Sequence, residues 1–177
     1  MSLTMPLATS FGEIREYAET DVAALVKYAN NRNIRLNLRD AFPHPYTEAH
    51  AREFLAIVHR QNPTTFFTLA VDGEAVGGIG LVIGEDVHRL TAELGYWLGE
   101  PFWGQGITTE AVRLFTKFAF ERFGLVRIFA APYAGNLASG RVLEKAGFAL
   151  EGRLRASAIK DNRILDQFLF ARVQLPG

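Results

Sequence analysis

Glu93-Leu-Gly-Tyr-Trp-Leu-Gly-Glu-Pro-Phe-Trp-Gly-Gln-Gly-Ile-Thr-Thr-Glu110 decides the reading of this chain. It runs as a strand, a glycine-punctuated loop and the first turn of an amphipathic helix. The first N–H groups of a helix have no partner within it, and glycines beside them admit close approach of a ligand. Such a loop is an anion cradle suited to a pyrophosphate; a tight turn without a ligand would have the same sequence. Strand alternation puts Glu93, Gly95 and Trp97 on one face and Leu94, Tyr96 and Leu98 on the other. A carboxylate inside a strand, beside glycine and aromatics, is an unusual placement. Glu93 is therefore a candidate base, or a structural acceptor or salt-bridge partner.

Outward from this stretch, Thr91–Leu98 is the strand and Thr108–Phe123 the helix, with Ala111, Leu114, Phe115, Phe118 and Phe123 inward and Arg113, Lys117 and Glu121 outward. Upstream, Gly12–Tyr17 is a short strand. Thr20-Asp21 starts a helix running to about Asn31. Asn33–Tyr46, with Pro43-His-Pro45, is an irregular loop. Thr47 caps a second helix that Gln61-Asn-Pro closes. Thr64–Val71 and Ala75–Ile83 form a hairpin about Asp72-Gly73. Downstream, Leu125–Ala131 is a strand and Asn136–Ala146 a helix stopped by Gly147. Phe148–Ile159 and Arg163–Val173 close the chain as a hairpin around Lys160-Asp-Asn162. The order predicts a single α+β domain over residues 1–177, a mixed, mostly antiparallel sheet of about seven strands flanked by about four helices. Residues 1–4 read as an expression remnant, with Met5 as the alternative start.

The 177 residues suffice for a sizeable core, and 49% are apolar, which argues against disorder. Basic and acidic residues number 19 each, so bulk charge gives no reason to expect a nucleic acid or an anionic membrane as partner. With no cysteine, thiolate chemistry and disulfides are excluded. The four histidines lack ligand spacing, so no metal site is expected. No signal peptide or spanning segment is seen, and the cytoplasm is the default location. The sequence is consistent with a monomer or a homodimer.

A second motif follows the next strand: Pro132-Tyr-Ala-Gly-Asn136-Leu-Ala-Ser139-Gly-Arg-Val-Leu-Glu-Lys145-Ala-Gly-Phe148. Together the two motifs resemble the GNAT family of acyl-CoA-dependent N-acetyltransferases, in the branch containing the ribosomal-protein-alanine N-acetyltransferases. The resemblance covers most of the chain, from the Ala29–Tyr46 segment to Val173. It implies transfer of an acetyl group from acetyl-CoA directly to a primary amine, a protein N-terminus or a small molecule. The alternative is a non-catalytic acyl-CoA sensor or interaction module on the same fold.

The family's pyrophosphate loop is similar to Trp103-Gly104-Gln105-Gly106-Ile107-Thr108, continuing into Thr109. Gly106 matches the central glycine, while Thr108 stands where a glycine or alanine is usual. The resemblance also implies that the glycine-loop strand and the next one splay, so that Tyr96, Trp97, Leu98 and Gly99 meet the pantetheine arm. A backbone N–H near Leu98 would then stabilise the oxyanion. Asn136 matches the pantetheine-binding asparagine and also suits an N-cap. Lys145 would reach the adenosine phosphates or stand solvated at its helix end. Leu143 occupies the position of the broader family's tyrosine, and the branch instead has a serine three residues after the asparagine, so the resemblance implies Ser139 as hydrogen-bond donor to the leaving sulfur; an ordinary first-turn serine is the alternative. Ala158 appears where some relatives carry a second carboxylate. The implied acceptor site draws on Arg35, Asn37, Asp40, Phe42, His44 and Tyr46, with the Gly84–Arg89 loop and the final hairpin. Asp40 suits a cationic amine, and Arg35 or Arg39 a peptide carboxylate.

Overall fold

The computed structural model describes residues 3–175, so Met1 and Ser2 of the expected remnant lie outside it. Its elements are β1 (Leu7–Ala8), β2 (Glu13–Arg15), α1 (Val22–Ala29), α2 (Arg32–Arg35), α3 (Glu48–His59), β3 (Phe66–Val71), β4 (Glu74–Ile83), β5 (Thr91–Leu98), α4 (Ile107–Phe123), β6 (Arg127–Ala130), α5 (Leu137–Lys145), β7 (Ala149–Lys160) and β8 (Arg163–Val173). The strands form one sheet in the order β1-β2-β3-β4-β5-β6-β8-β7. Only β5 and β6 pair in parallel. That pair is joined through α4, as a parallel connection requires a crossover.

Among the described residues there are eight strands and five helices, against the expected about seven and about four. The added strand is the two-residue β1, too short to carry a period. The added helix is α2, a single turn inside the segment read as loop. Its signal was local: Asn31 caps it, accepting from the N–H groups of Asn33 and Ile34 at 2.7 and 3.4 Å.

Two hairpins follow their turn residues. Asp72 and Gly73 both take positive φ, as do Asp161 and Asn162, the backbone of a two-residue type I′ turn. The second hairpin matters to the site, because it carries Lys160 and Asp161 to the loop after α2.

One face of the sheet packs on α4, where Ile107, Ala111, Val112, Phe115, Phe118 and Ala119 are buried with Leu94 and Leu98 of β5. The 3.6-residue spacing of these positions explains why α4 lies along the sheet. A second cluster joins Leu25 of α1, Leu55 and Val58 of α3 and Tyr46, with Phe42 and Trp97 packed against it. Trp97 sits where β4 has Gly78. A Cβ there would lie 2.6 Å from the Trp97 indole nitrogen, so the glycine makes room for the ring.

Candidate active site

The sheet opens beside Glu93. β5 and β6 pair only at Thr91–Arg127, Ala92–Ile128 and Glu93–Phe129. Past that point the chain after β6 follows β8 instead: Phe168 N–H donates to the Pro132 carbonyl at 3.0 Å, and Ala134 N–H to Asp166 at 2.9 Å. A wedge therefore separates β5 from the 130–134 segment. On the other side, Gly99 N–H bonds the Val76 carbonyl of β4 at 2.7 Å. Alternation then turns the backbone groups of Tyr96 and Leu98 into the wedge. Unpaired amides at an internal sheet edge need a partner.

The glycine loop lies at the head of α4. Gly104 and Gly106 have φ of 75° and 81°, a region costly for any residue with a side chain. Among the described residues, the N–H groups of Gly104 to Thr109 find no acceptor. No atom lies within 4 Å of a Cβ built on Gly104 or Gly106. Free donors, open space and the positive end of a 17-residue helix fit a pyrophosphate. Trp103 has a different part from its neighbours. Its indole N–H donates to the Leu98 carbonyl at 2.7 Å, pinning the loop to the end of β5. Lys145 is exposed in the last turn of α5, where its charge complements the helix end.

On the α5 side of the wedge, three expected residues meet. The Asn136 side chain accepts from Ser139 N–H at 3.2 Å, which makes it the N-cap of α5. The Ser139 hydroxyl lies 2.7 Å from the Tyr96 hydroxyl. Burial pushes the Tyr96 phenol up to about 12, only partly offset by the Ser139 bond, so it keeps its proton at neutral pH. Leu143 is fully buried in the core and offers no chemistry.

On the opposite face of β5, the Glu93 carboxylate accepts from Arg39 Nη2 at 2.5 Å. The loop that carries Arg39 is tied to the final hairpin. Lys160 Nζ, almost fully buried, donates to the Leu38 carbonyl and to Asp40, each at 2.7 Å. Arg35 bridges Asp40 at 3.1 Å and Asp161 at 2.8 Å. Arg35 and Asp40, expected to meet the acceptor, are thus spent on each other and on the hairpin. Phe42 stacks between Tyr46, 5.2 Å away, and Trp97, 5.8 Å away. Tyr46 is buried, whereas His44 is exposed.

An open cleft of about 390 Å³ lies beside this latch, lined by Leu36, Asn37, Tyr133, Asn136, Arg153 and Asp166 among others. Asn37 lines the cleft; the Gly84–Arg89 loop does not. Tyr133 stood among the tyrosines that could substitute for the missing second catalytic group, whereas Asp166 was not read as a site residue. The Asp166 carboxylate is held well below its usual range by the Ala156 N–H first and Arg153 second. Asp166 was unreadable because its neighbours Ala134 and Ala156 are far away in sequence, and Ala156 sits in a bulge at φ 51°. Among the described residues no cluster of His, Asp or Glu suits a metal.

The latch predicts a stability effect. Lys160 is almost fully buried and serves a part-buried carbonyl whose other donor is the Tyr133 hydroxyl at 3.4 Å, so Lys160→Ala is expected to lower Tm by about 4 °C or more. Asp40 is held below the usual carboxylate range, chiefly by Lys160 and then by Arg35. Its contribution is therefore complete above about pH 4 and lost as pH falls through the lowered value. Thermal melts of both proteins between pH 3 and 7 check this: the gap must narrow at the acid end to the part that the Leu38 carbonyl bond supplies.

A sheet split beside a carboxylate, with a glycine-led helix N-terminus at the mouth of the split, defines an acyl-CoA-type acetyltransferase scaffold. The acetyltransferase (GNAT) domain profile matches residues 13–149, and the chain belongs to that family. Relatives include the probable N-acetyltransferase YjcK of Bacillus subtilis (strain 168), 52% identical over 65 residues, which are 37% of this chain and 36% of that one. The ribosomal-protein-serine acetyltransferase of Escherichia coli (strain K12) is 29% identical over 117 residues, 66% of this chain and 65% of that protein. The chain spans 36% to 56% of the length of three curated Bacillus subtilis relatives. In fold it is similar to RimL, a ribosomal L7/L12 alpha-N-protein acetyltransferase solved with coenzyme A. The TM-score is 0.84 at 21% identity, over 94% of this chain and 96% of RimL.

Proposed function

We propose that the protein transfers an acetyl group from acetyl-CoA directly to a primary amine. The observation that carries this reading is the wedge: β5 parts from β6 immediately after Glu93, and the free N–H groups of Gly104 to Thr109 stand at its mouth. Acetyl-CoA supplies the activated thioester. Its pyrophosphate is held by the glycine loop and the α4 N-terminus, and its pantetheine amides by the inward backbone groups of Tyr96. Asn136 fixes the arm near the thioester.

Glu93 and Tyr96 point to opposite faces of β5, so the acceptor and the thiol leaving group approach from opposite sides. The acceptor enters from the cleft, and Glu93 removes its proton. The Leu98 N–H stabilises the carbonyl oxygen as negative charge builds. Ser139 gives a hydrogen bond or proton to the departing sulfur, backed by the protonated Tyr96 phenol 2.7 Å away. The alternative, acyl-CoA binding without turnover, has no observation in its favour beyond the replacements at Thr108, Leu143 and Ala158.

Melting the purified protein with and without acetyl-CoA tests the reading, followed by thiol release against pooled amines and N-terminal peptides. A ligand bound only by the folded state raises Tm, by about 5–10 °C at a hundredfold excess over Kd. Both a shift and thiol release are expected. No shift at saturating acetyl-CoA removes the central claim.

A further inference from the structure

The two charged residues that line the cleft, Arg153 and Asp166, pair with each other, and the latch beside it holds further ion pairs. Arg35 and Lys160 share Asp40, Arg35 also reaches Asp161, Arg153 holds Asp166 and Arg39 holds Glu93. We propose that Arg39 is a specificity-determining residue: it holds one oxygen of Glu93, beside the position the acceptor's ammonium takes, and it selects acceptors whose own carboxylate receives the displaced guanidinium. The best acceptor is then a peptide N-terminus followed by an acidic residue. The proposal rests on the reading of Glu93 as the base.

Three features of the geometry support it. First, Arg39 bonds Glu93 Oε1 directly, so an incoming ammonium must share the carboxylate with it through the other oxygen. An ammonium arriving beside it would put two cations against one carboxylate, and like charges at that range repel. Second, the pair is built to open on one side only. The Arg39 side chain is 72% exposed and Glu93 27%. Exposed ion pairs are cheap to break. The chain on both sides of Arg39 is tied to the hairpin, because Lys160 holds the Leu38 backbone carbonyl and the Asp40 side chain. Displacement is therefore a swing of one side chain rather than a loss of the loop.

Third, the displaced guanidinium has nowhere to go among the neighbouring anions. Asp40, Asp161 and Asp166 are each already bonded to a cation. An incoming carboxylate restores the balance and offers the planar, two-oxygen partner that arginine binds best. It must lie close to the amine, since Arg39 and the amine address the same carboxylate. That geometry suits an acidic side chain one residue after a free α-amino group. A polyamine, with cations only, would leave Arg39 unpaired.

The test compares two peptides that differ only in aspartate or asparagine as their second residue. The wild-type protein is expected to prefer the aspartate peptide by about tenfold in kcat/KM, the difference lying in KM. Arg39→Gln should erase the preference by lowering KM for the asparagine peptide and raising it for the other. Arg39→Lys should keep part of it. An unchanged Tm shift with acetyl-CoA in both variants shows that the fold and the glycine loop are intact. No preference in the wild type, or a preference that survives Arg39→Gln, overturns the proposal. If Arg39→Gln erases the preference while Glu93→Gln stays fully active, the base reading has failed and the displacement idea fails with it.

Discussion

Gly106→Val abolishes the acetyl-CoA-induced rise in Tm and weakens acetyl-CoA binding by at least about a hundredfold, roughly 2.7 kcal/mol. The reason is the backbone at the head of α4. Gly106 is the N-cap at φ 81°, and the space where a side chain would begin is empty to 4 Å. That emptiness means valine meets no protein atom. It meets the ligand instead, since the free N–H groups of Gly104 to Thr109 bind only what approaches the backbone closely. Valine also strains a left-handed residue, which by itself lowers Tm. A control separates the two effects. Gly124, at the other end of α4, has φ 61° and is equally open. Gly124→Val should lower Tm similarly yet retain the full acetyl-CoA shift, measured by isothermal titration and melting. Normal acetyl-CoA affinity in Gly106→Val would place the pyrophosphate elsewhere.

What was legible in the sequence was what is encoded locally. The β5 boundaries came out as read because Thr91–Leu98 alternates cleanly. The start of α4 was off by one residue, since Gly106 rather than Ile107 supplies the turn. Asn136 as an N-cap, and the Asp161-Asn162 turn, followed from residue type alone. The site's base face was less legible. Glu93 was visible as an odd carboxylate, but not its pairing with Arg39, 54 residues away. Lys160 reads as an ordinary turn lysine until β7 and β8 deliver it under Leu38, 122 residues away. Whether Asp40 faces an acceptor or a neighbour depends on that distant register, and nothing near Asp40 encodes it. Tyr133 and Asp166 join the cleft only because the chain after β6 leaves β5 for β8. Periodicity sets which face a side chain takes; the pairing of charges across loops is set by topology.

Glu93→Gln separates proton removal from binding. Glutamine keeps the shape and an oxygen that Arg39 can bond, so acetyl-CoA affinity and Tm should stay near wild type. Turnover should not: losing a positioned base costs about 10²–10⁴-fold. The size of the loss must depend on pH. An α-amino acceptor has a pKa near 7.7–8.0 and an alkyl amine one near 10.4. Below the acceptor's pKa the amine is protonated and the base is needed; above it the amine arrives neutral and the base is dispensable. The deficit should thus be largest at about pH 6–7 and shrink as pH rises through the acceptor's own pKa. Closure near pH 8 points to an α-amino group, and closure only toward pH 10 to an alkyl amine. A deficit of constant size across that range means Glu93 orients the amine without taking its proton. No deficit at any pH removes Glu93 from the chemistry, and the Arg39 pair is then only a structural contact between the loop and β5.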